Sequence, residues 1–274
     1  VPSNAIDIGH KISDNFKGKL IILDKDREVV RIILNNISID IANQISNTIE
    51  GDLKSRDFSI NSIAFLFDKR ELIDPLNGIK DIEFSLLRTY SKNNLVEDPL
   101  RILRCFRFVS ELNFKIDPDL IYLIKKYKAK INLVAEERIN YEIQRIVKGV
   151  NSVESVLLIK KFNIFTTEET DKDYLFINLK RINYEKLNKS ERDQFLPIFL
   201  IFLILDQISL EKLKFSKATI LKTNLLRKWL LILKKKKIND LNELERFDLH
   251  RELENILPSF IFCLPKNLHS DWLN

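Results

Sequence analysis

The stretch LVEDPLRILRCFRF, residues 95–108, divides the chain. Before it, β-branched runs alternate with turn residues; after it, apolar residues recur at helical spacing. Within it Asp98 is a good helix N-cap and Pro99 suits the first helical position, so local chemistry fixes where the helix starts. At about 100° per residue, Asp98, Arg101 and Arg104 fall on neighbouring rows of one side, leaving Leu100, Leu103 and Phe106 to face a core. A carboxylate accepts hydrogen bonds and a guanidinium donates them in a planar fork, so together they can satisfy the edge of a nucleobase. The helix is expected to read a nucleotide. The plainer reading of the same residues is an N-cap and a surface ion pair, worth only about 0.3–1 kcal/mol if exposed.

Upstream, Gly51 to Phe67 begins polar and ends apolar, as a helix feeding a buried strand does. Glu71 to Tyr90 holds a short strand, ELID, a turn built from Pro75, Asn77 and Gly78, and a second strand, SLLRTY. Lys19 to Leu23, Glu28 to Leu34 and Ile37 to Ala42, separated by DKDR and NN, read as an antiparallel meander. In the last strand Ile37, Ile39 and Ile41 share one face, so Ser38, Asp40 and Ala42 project from the other and place a carboxylate on the open side of a sheet. Ser3 to Phe16 suits a short amphipathic helix capped near Ser3 and broken by Gly18.

From Tyr90 onward the pattern is helical, over about 99–113, 117–128, 135–148, 152–161 and further segments. The expected fold class is α+β, a sheet-containing first part of about ninety residues followed by an all-helical part. No internal repeat and no Gly/Ser-rich or Pro-rich linker separates them.

The 274 residues suffice for one large domain or two ordinary ones with real cores. Hydrophobic content of 45% with 31% charged residues describes a soluble globular protein, and apolar runs such as Phe195 to Leu205 are too short for membrane spans. A net charge of +6 and a pI near 9.1 permit an anionic partner without requiring one. Cys105 and Cys263 form no CxxC and have no metal spacing with His10, His250 or His269, which argues against a disulfide framework or a zinc site and fits a reducing cytoplasm. The histidines also lack the HD pair of an appended phosphohydrolase.

RDFSIN (56–61), DPLNGIKD (74–81), EDPLRILRCFRF (97–108) and EERINYEIQRI (136–146) are each weak motifs, RDFSIN reading equally as a helix N-terminus and DPLNG as a turn. In this order they resemble the tRNA nucleotidyltransferase and poly(A) polymerase family in its bacterial class II form, closely from Val1 to about Gly149 and loosely beyond. The resemblance implies a nucleotidyltransferase head over residues 1–90, a helical neck over 91–150, and an RNA-binding body and tail over 151–274. It implies that Arg56, Asp57 and Asn61 contact the ribose and triphosphate, that Asp74, Gly78 and Asp81 join head to neck, and that Glu136, Glu137 and Arg138 brace the neck. Asp98 and Arg101 match the pair that presents hydrogen bonds to the base as a protein template for CTP and then ATP, with Arg104 and Arg107 as phosphate contacts or neck ion pairs. The chemistry agrees, because Asp98 can accept from the exocyclic amino group shared by cytosine and adenine while Arg101 donates to the adjacent ring acceptor. Guanine and uracil would leave buried polar groups unpaired.

The family's reaction uses two Mg²⁺ ions held by three carboxylates. Its glycine-rich signature and DxD pair are not visible here, and the chain opens on Val1, so a start inside a longer protein is expected, with Asp40 as the remaining metal carboxylate. Asp24 and Asp26 form a DxD of their own, but no glycine pair precedes it and the spacing is that of a hairpin turn.

Lys212 to Lys237 carries ten basic and no acidic residues: Lys212, Lys214, Lys217, Lys222, Arg227, Lys228, Lys234, Lys235, Lys236 and Lys237. Such a helix can follow the phosphates of a tRNA acceptor and TΨC arm, or be a solvated lysine face; Trp229 within it reads as core. The activity expected is building or repair of the tRNA 3′-terminal CCA from CTP and ATP. Poly(A), CC-only or A-only addition is the rival within the class, and a non-catalytic RNA-binding fragment the rival outside it.

Overall fold

In the first of two units, Val1–Phe84, the expected meander forms. The strands β1 (Lys19–Asp24), β2 (Val29–Leu34) and β3 (Ile37–Ala42) make an antiparallel sheet in that order. The register pairs Leu20 with Ile32 and Val30 with Ile41. This puts β-branched residues on one face, where helix α1 (Ala5–Phe16) covers them; Ala5, Val30, Ile32 and Ile41 are buried, with Ile6, Ile8, Ile12 and Leu20 packed on them. The cap expected near Ser3 is replaced by a tertiary one. Asn4 precedes the helix in a left-handed conformation with no side-chain cap bond, and the Ala5 N–H donates to the Asn43 side chain at 2.9 Å.

The computed structural model describes residues 1–165, 175–176, 179–180, 182–236 and 240–264. After β3 come helix α2 (Ile49–Ser55), a single 3₁₀ turn at Ser59–Asn61, a hairpin of β4 (Ala64–Leu66) and β5 (Glu71–Ile73), and helix α3 (Gly78–Glu83). RDFSIN is therefore a turn between helix and strand. The strand after it is not buried as its apolar character suggested: Phe65 and Phe67 are exposed and meet edge to face.

The second unit, Ser85–Asn274, is helical, as its periodicity requires. SLLRTY supplies only the two-residue strand β6 (Leu86–Leu87), which pairs in parallel with β7 (Lys115–Ile116), a strand that helical patterning on both sides concealed. The helices are α4 (Lys92–Glu97), α5 (Leu100–Leu112), α6 (Pro118–Tyr127), α7 (Glu136–Lys148), α8 (Ser152–Lys161), α9 (Leu196–Ile204), α10 (Gln207–Lys212), α11 (Lys217–Lys235), α12 (Glu243–Leu253) and α13 (Leu257–Cys263). Ile102, Leu103, Cys105 and Phe106 of α5 are fully buried, and α5 packs on α7 and α8. Helix α9 is apolar all round and accordingly central, touching α7, α8, α11 and α13. Among the described residues no helix is long and apolar enough to cross a membrane. Cys105 and Cys263 are both buried and form no disulfide.

Candidate functional site

Asp98 lies in the link between α4 and α5, with non-helical backbone (φ −133°, ψ 89°). The helix begins one residue later than the sequence suggests, at Leu100, with Pro99 before it. Asp98 still does the capping: its Oδ1 accepts from the Leu100 N–H at 3.3 Å and its carbonyl from the Arg101 N–H at 3.1 Å. Its Oδ2 accepts from Arg138 Nη2 at 3.0 Å, which joins the start of α5 to the first turn of α7. Arg101 and Arg104 lie half-buried on the outer side of α5, the Arg104 guanidinium 6.0 Å from the Phe108 ring centroid.

Arg107 behaves differently from its two neighbours. It is turned into the α5–α7 interface, where its Nη1 donates to both oxygens of Glu142 at 2.9 and 3.0 Å, and both side chains are nearly sealed from solvent. Of the two roles open to it in the sequence, the structure shows the ion pair. Burial pushes the Glu142 carboxyl above the usual range, an effect that the Arg107 charge opposes. A further pair, Arg145 with Glu111, closes the interface at 2.7 Å. Glu142 and Glu111 are partners that the motif reading did not single out; their nearness to Arg107 and Arg145 on the facing helix was not available before the helices were packed.

In the first unit RDFSIN and DPLNGIKD brace each other. The Arg56 guanidinium donates to Asp52 Oδ2 at 3.3 Å and to the Asn61 carbonyl at 3.1 Å. Asp57, buried, accepts from the Phe58 N–H at 2.9 Å and from Asn61 Nδ2 at 3.0 Å. Asp74 caps α3 by accepting from the N–H groups of Gly78 and Ile79 at 2.6 and 2.9 Å. Asp81 is fully buried and accepts from the Ser59 hydroxyl at 2.5 Å. Gly78 is required by this contact, since a Cβ there would collide with the Ser59 carbonyl oxygen.

Two family models match these parts of the sequence. Residues 10–88 match the poly A polymerase head domain, and residues 113–169 match the probable RNA and SrmB-binding site of polymerase A. Over these parts the chain is similar to the tRNA nucleotidyltransferase and poly(A) polymerase family. A CC-adding tRNA nucleotidyltransferase of Synechocystis sp. is 35% identical over 147 residues, which is 54% of this chain and 35% of that protein. An A-adding tRNA nucleotidyltransferase of Deinococcus radiodurans is 30% identical over 147 residues, 52% of this chain and 33% of that one. The matched stretch thus spans about a third of the length of these relatives. A CCA-adding enzyme of Thermotoga maritima, solved with tRNA, shares the fold at a TM-score of 0.72 and 21% identity, covering 99% of this chain and 70% of that one.

The metal expected for this family does not fit the described residues. Asp40 faces outward on β3 as its alternation requires, but Arg31 on β2 holds both its oxygens, at 2.6 and 2.7 Å, and this hydrogen bonding lowers its pKa. Among the described residues no three His, Cys, Asp or Glu side chains converge on a common point. Asp24, of the Asp24 and Asp26 pair, ends β1 and its side chain accepts from the Arg27 N–H of the following turn at 3.0 Å.

The basic segment divides into paired and outward-facing cations. Glu137 pairs with Lys214, Lys228 with Glu252 at 2.7 Å, and Lys236 with Glu245 at 2.6 Å. Arg227 donates to the Leu205 carbonyl at 2.7 Å and lies 5.5 Å from the Phe202 ring centroid. Lys212, Lys217 and Lys235 are exposed and Lys222 half-exposed, while the Lys234 side chain and Lys237 lie outside the described residues. Trp229 is buried, as expected of a core residue, and its indole N–H donates to Glu252 at 2.9 Å.

Proposed function

We propose that the protein is an RNA 3′-end nucleotidyltransferase that builds or repairs the CCA end of tRNA from CTP and ATP in the cytoplasm, and that this chain carries its nucleotide-selecting and tRNA-holding parts. The observation that carries the reading is the start of α5. There a carboxylate with spare acceptor capacity, Asp98, precedes half-buried Arg101 by three residues, the acceptor–donor pattern that complements the amino-group edge of cytosine and adenine. Names of relatives support it, since they include CC-adding and A-adding tRNA nucleotidyltransferases and a CCA-adding enzyme. Arg104 is proposed to contact the phosphates, with Arg56, Asp57 and Asn61 serving the sugar and triphosphate side; their present bonds to Asp52 and to one another make them a rigid turn for that purpose. Lys212, Lys217, Lys222 and Lys235 are proposed to track the RNA backbone.

Mg²⁺ would supply the charge stabilisation of transfer in such an enzyme. Asp40 can contribute to that site only if Arg31 releases it and other carboxylates join it.

A second reading is favoured by the identity of relatives named CC-adding, from Synechocystis sp. and Shouchella clausii, each 35% identical over the matched stretch. Product length separates the two. With a tRNA ending before CCA, CTP and ATP, extension by three residues supports CCA addition, extension by two supports CC addition, and long A tails overturn both.

A further inference from the structure

Asp98 has no helical backbone to aim its side chain, because it sits between α4 and α5. Its carboxylate therefore points where its hydrogen bonds hold it. One bond is local and long, from the Leu100 N–H at 3.3 Å to Oδ1. The other comes from forty residues away, from Arg138 Nη2 at 3.0 Å to Oδ2, and is charge-assisted. A single local bond leaves the carboxylate plane free to turn, whereas a second bond from another helix fixes it. Each oxygen keeps a lone pair for a further donor.

The place of Arg138 is itself specified. Along α5 and the two residues before it the paired charges run Asp98, Arg107, Glu111; along α7 they run Arg138, Glu142, Arg145. The signs alternate on both sides, so sliding α7 along α5 brings like charges opposite one another, with the buried Arg107–Glu142 pair charging the highest cost. At the same end of α7, Asn140 Nδ2 donates to the Leu213 carbonyl at 2.8 Å and Glu137 pairs with Lys214, which ties that end to the turn before α11. Arg138 itself is 52% exposed, so it is not a core residue.

We infer that Arg138 is a positioning residue for base selection: it fixes the plane of the Asp98 carboxylate, and so the preference for bases bearing an amino group, while touching no nucleotide. The inference rests on Asp98 reading the base. It separates Arg138 from Glu136 and Glu137 of the same helix turn, which point to no such partner: Glu137 goes to Lys214.

The test is equilibrium binding of CTP, ATP, UTP and GTP to the full chain, in wild type, Arg138→Ala, Arg138→Lys and Asp98→Ala, with thermal unfolding of each. Arg138→Ala is expected to reduce the preference for CTP and ATP over UTP and GTP by about tenfold at an unchanged melting temperature, and Arg138→Lys to restore most of it. Equal loss for all four nucleotides, or loss that follows a fall in melting temperature, assigns Arg138 a structural role and overturns the inference. Preference kept in Arg138→Ala but lost in Asp98→Ala overturns it while leaving the base-reading role intact. Preference kept in Asp98→Ala overturns that role, and the inference with it.

Discussion

The Arg107 guanidinium donates to both carboxylate oxygens of Glu142 inside the α5–α7 interface, where the two residues are 5% and 2% exposed. A buried ion pair of this kind adds little over an apolar pair of the same volume, but half of it is costly. Glu142→Ala is expected to destabilise the protein by about 3–5 kcal/mol, whereas the double change Arg107→Met with Glu142→Leu recovers most of that loss. Urea unfolding of the single and double variants measures the difference, and a double variant no better than Glu142→Ala would show that the pair is required as such.

Glu252 links the basic helix α11 to α12, accepting from Lys228 and from the Trp229 indole. The Lys228 hydrogen bond holds its pKa below the ordinary glutamate value of 4.5. A depressed carboxylate binds its proton more readily in the unfolded chain, so the stability it confers is complete above the unfolded value and disappears as pH falls through the folded one. Between neutrality and about pH 4.5 wild type should exceed Glu252→Gln by a constant margin, and below that the margin should shrink. Melting temperatures of both proteins across this range provide the check; a margin that widens on acidification would contradict the assignment.

Gly78 meets the Ser59 carbonyl so closely that any side chain must displace it. Gly78→Ala should cost about 1–3 kcal/mol, the usual penalty for forcing volume into a packed contact. Ser59→Ala removes a hydroxyl that donates to buried Asp81 and should cost about 1.5–3 kcal/mol, the usual worth of a hydrogen bond to a charged group. Thermal unfolding of the two variants tests whether this brace holds the RDFSIN turn.

If the basic segment tracks RNA, its cations are not equivalent. Replacing Lys217, Lys222 and Lys235 together by Gln should lower tRNA affinity and reduce the slope of log affinity against log salt by about 2–3. Lys214→Gln should change the slope less, because Glu137 already neutralises that charge. Binding titrations at several salt concentrations distinguish the groups, and equal slopes for all variants would remove this helix from the RNA interface.

The strand meander, the switch to helices and the four ordered motifs could be read from residue patterns, because they depend on period, turn chemistry and capping, which are local. Asp98 was legible as a cap and Asp40 as an outward carboxylate for the same reason. Strand β7 was not, since its two residues acquire strand geometry from pairing with Leu86 and Leu87, some thirty positions earlier.

The sequence by itself determined which residue types could accept and donate at a nucleobase, and where in the chain they would stand. Only the tertiary structure decided how each arginine is placed. Arg104 and Arg107 are separated by a single helical turn and are chemically identical, yet packing of α7 leaves one half-buried beside Phe108 and seals the other against Glu142. The same packing brings Arg138 to Asp98 across forty residues. Partners at that distance are chosen by the axial register of two helices, and no local pattern encodes that register until their buried charges meet.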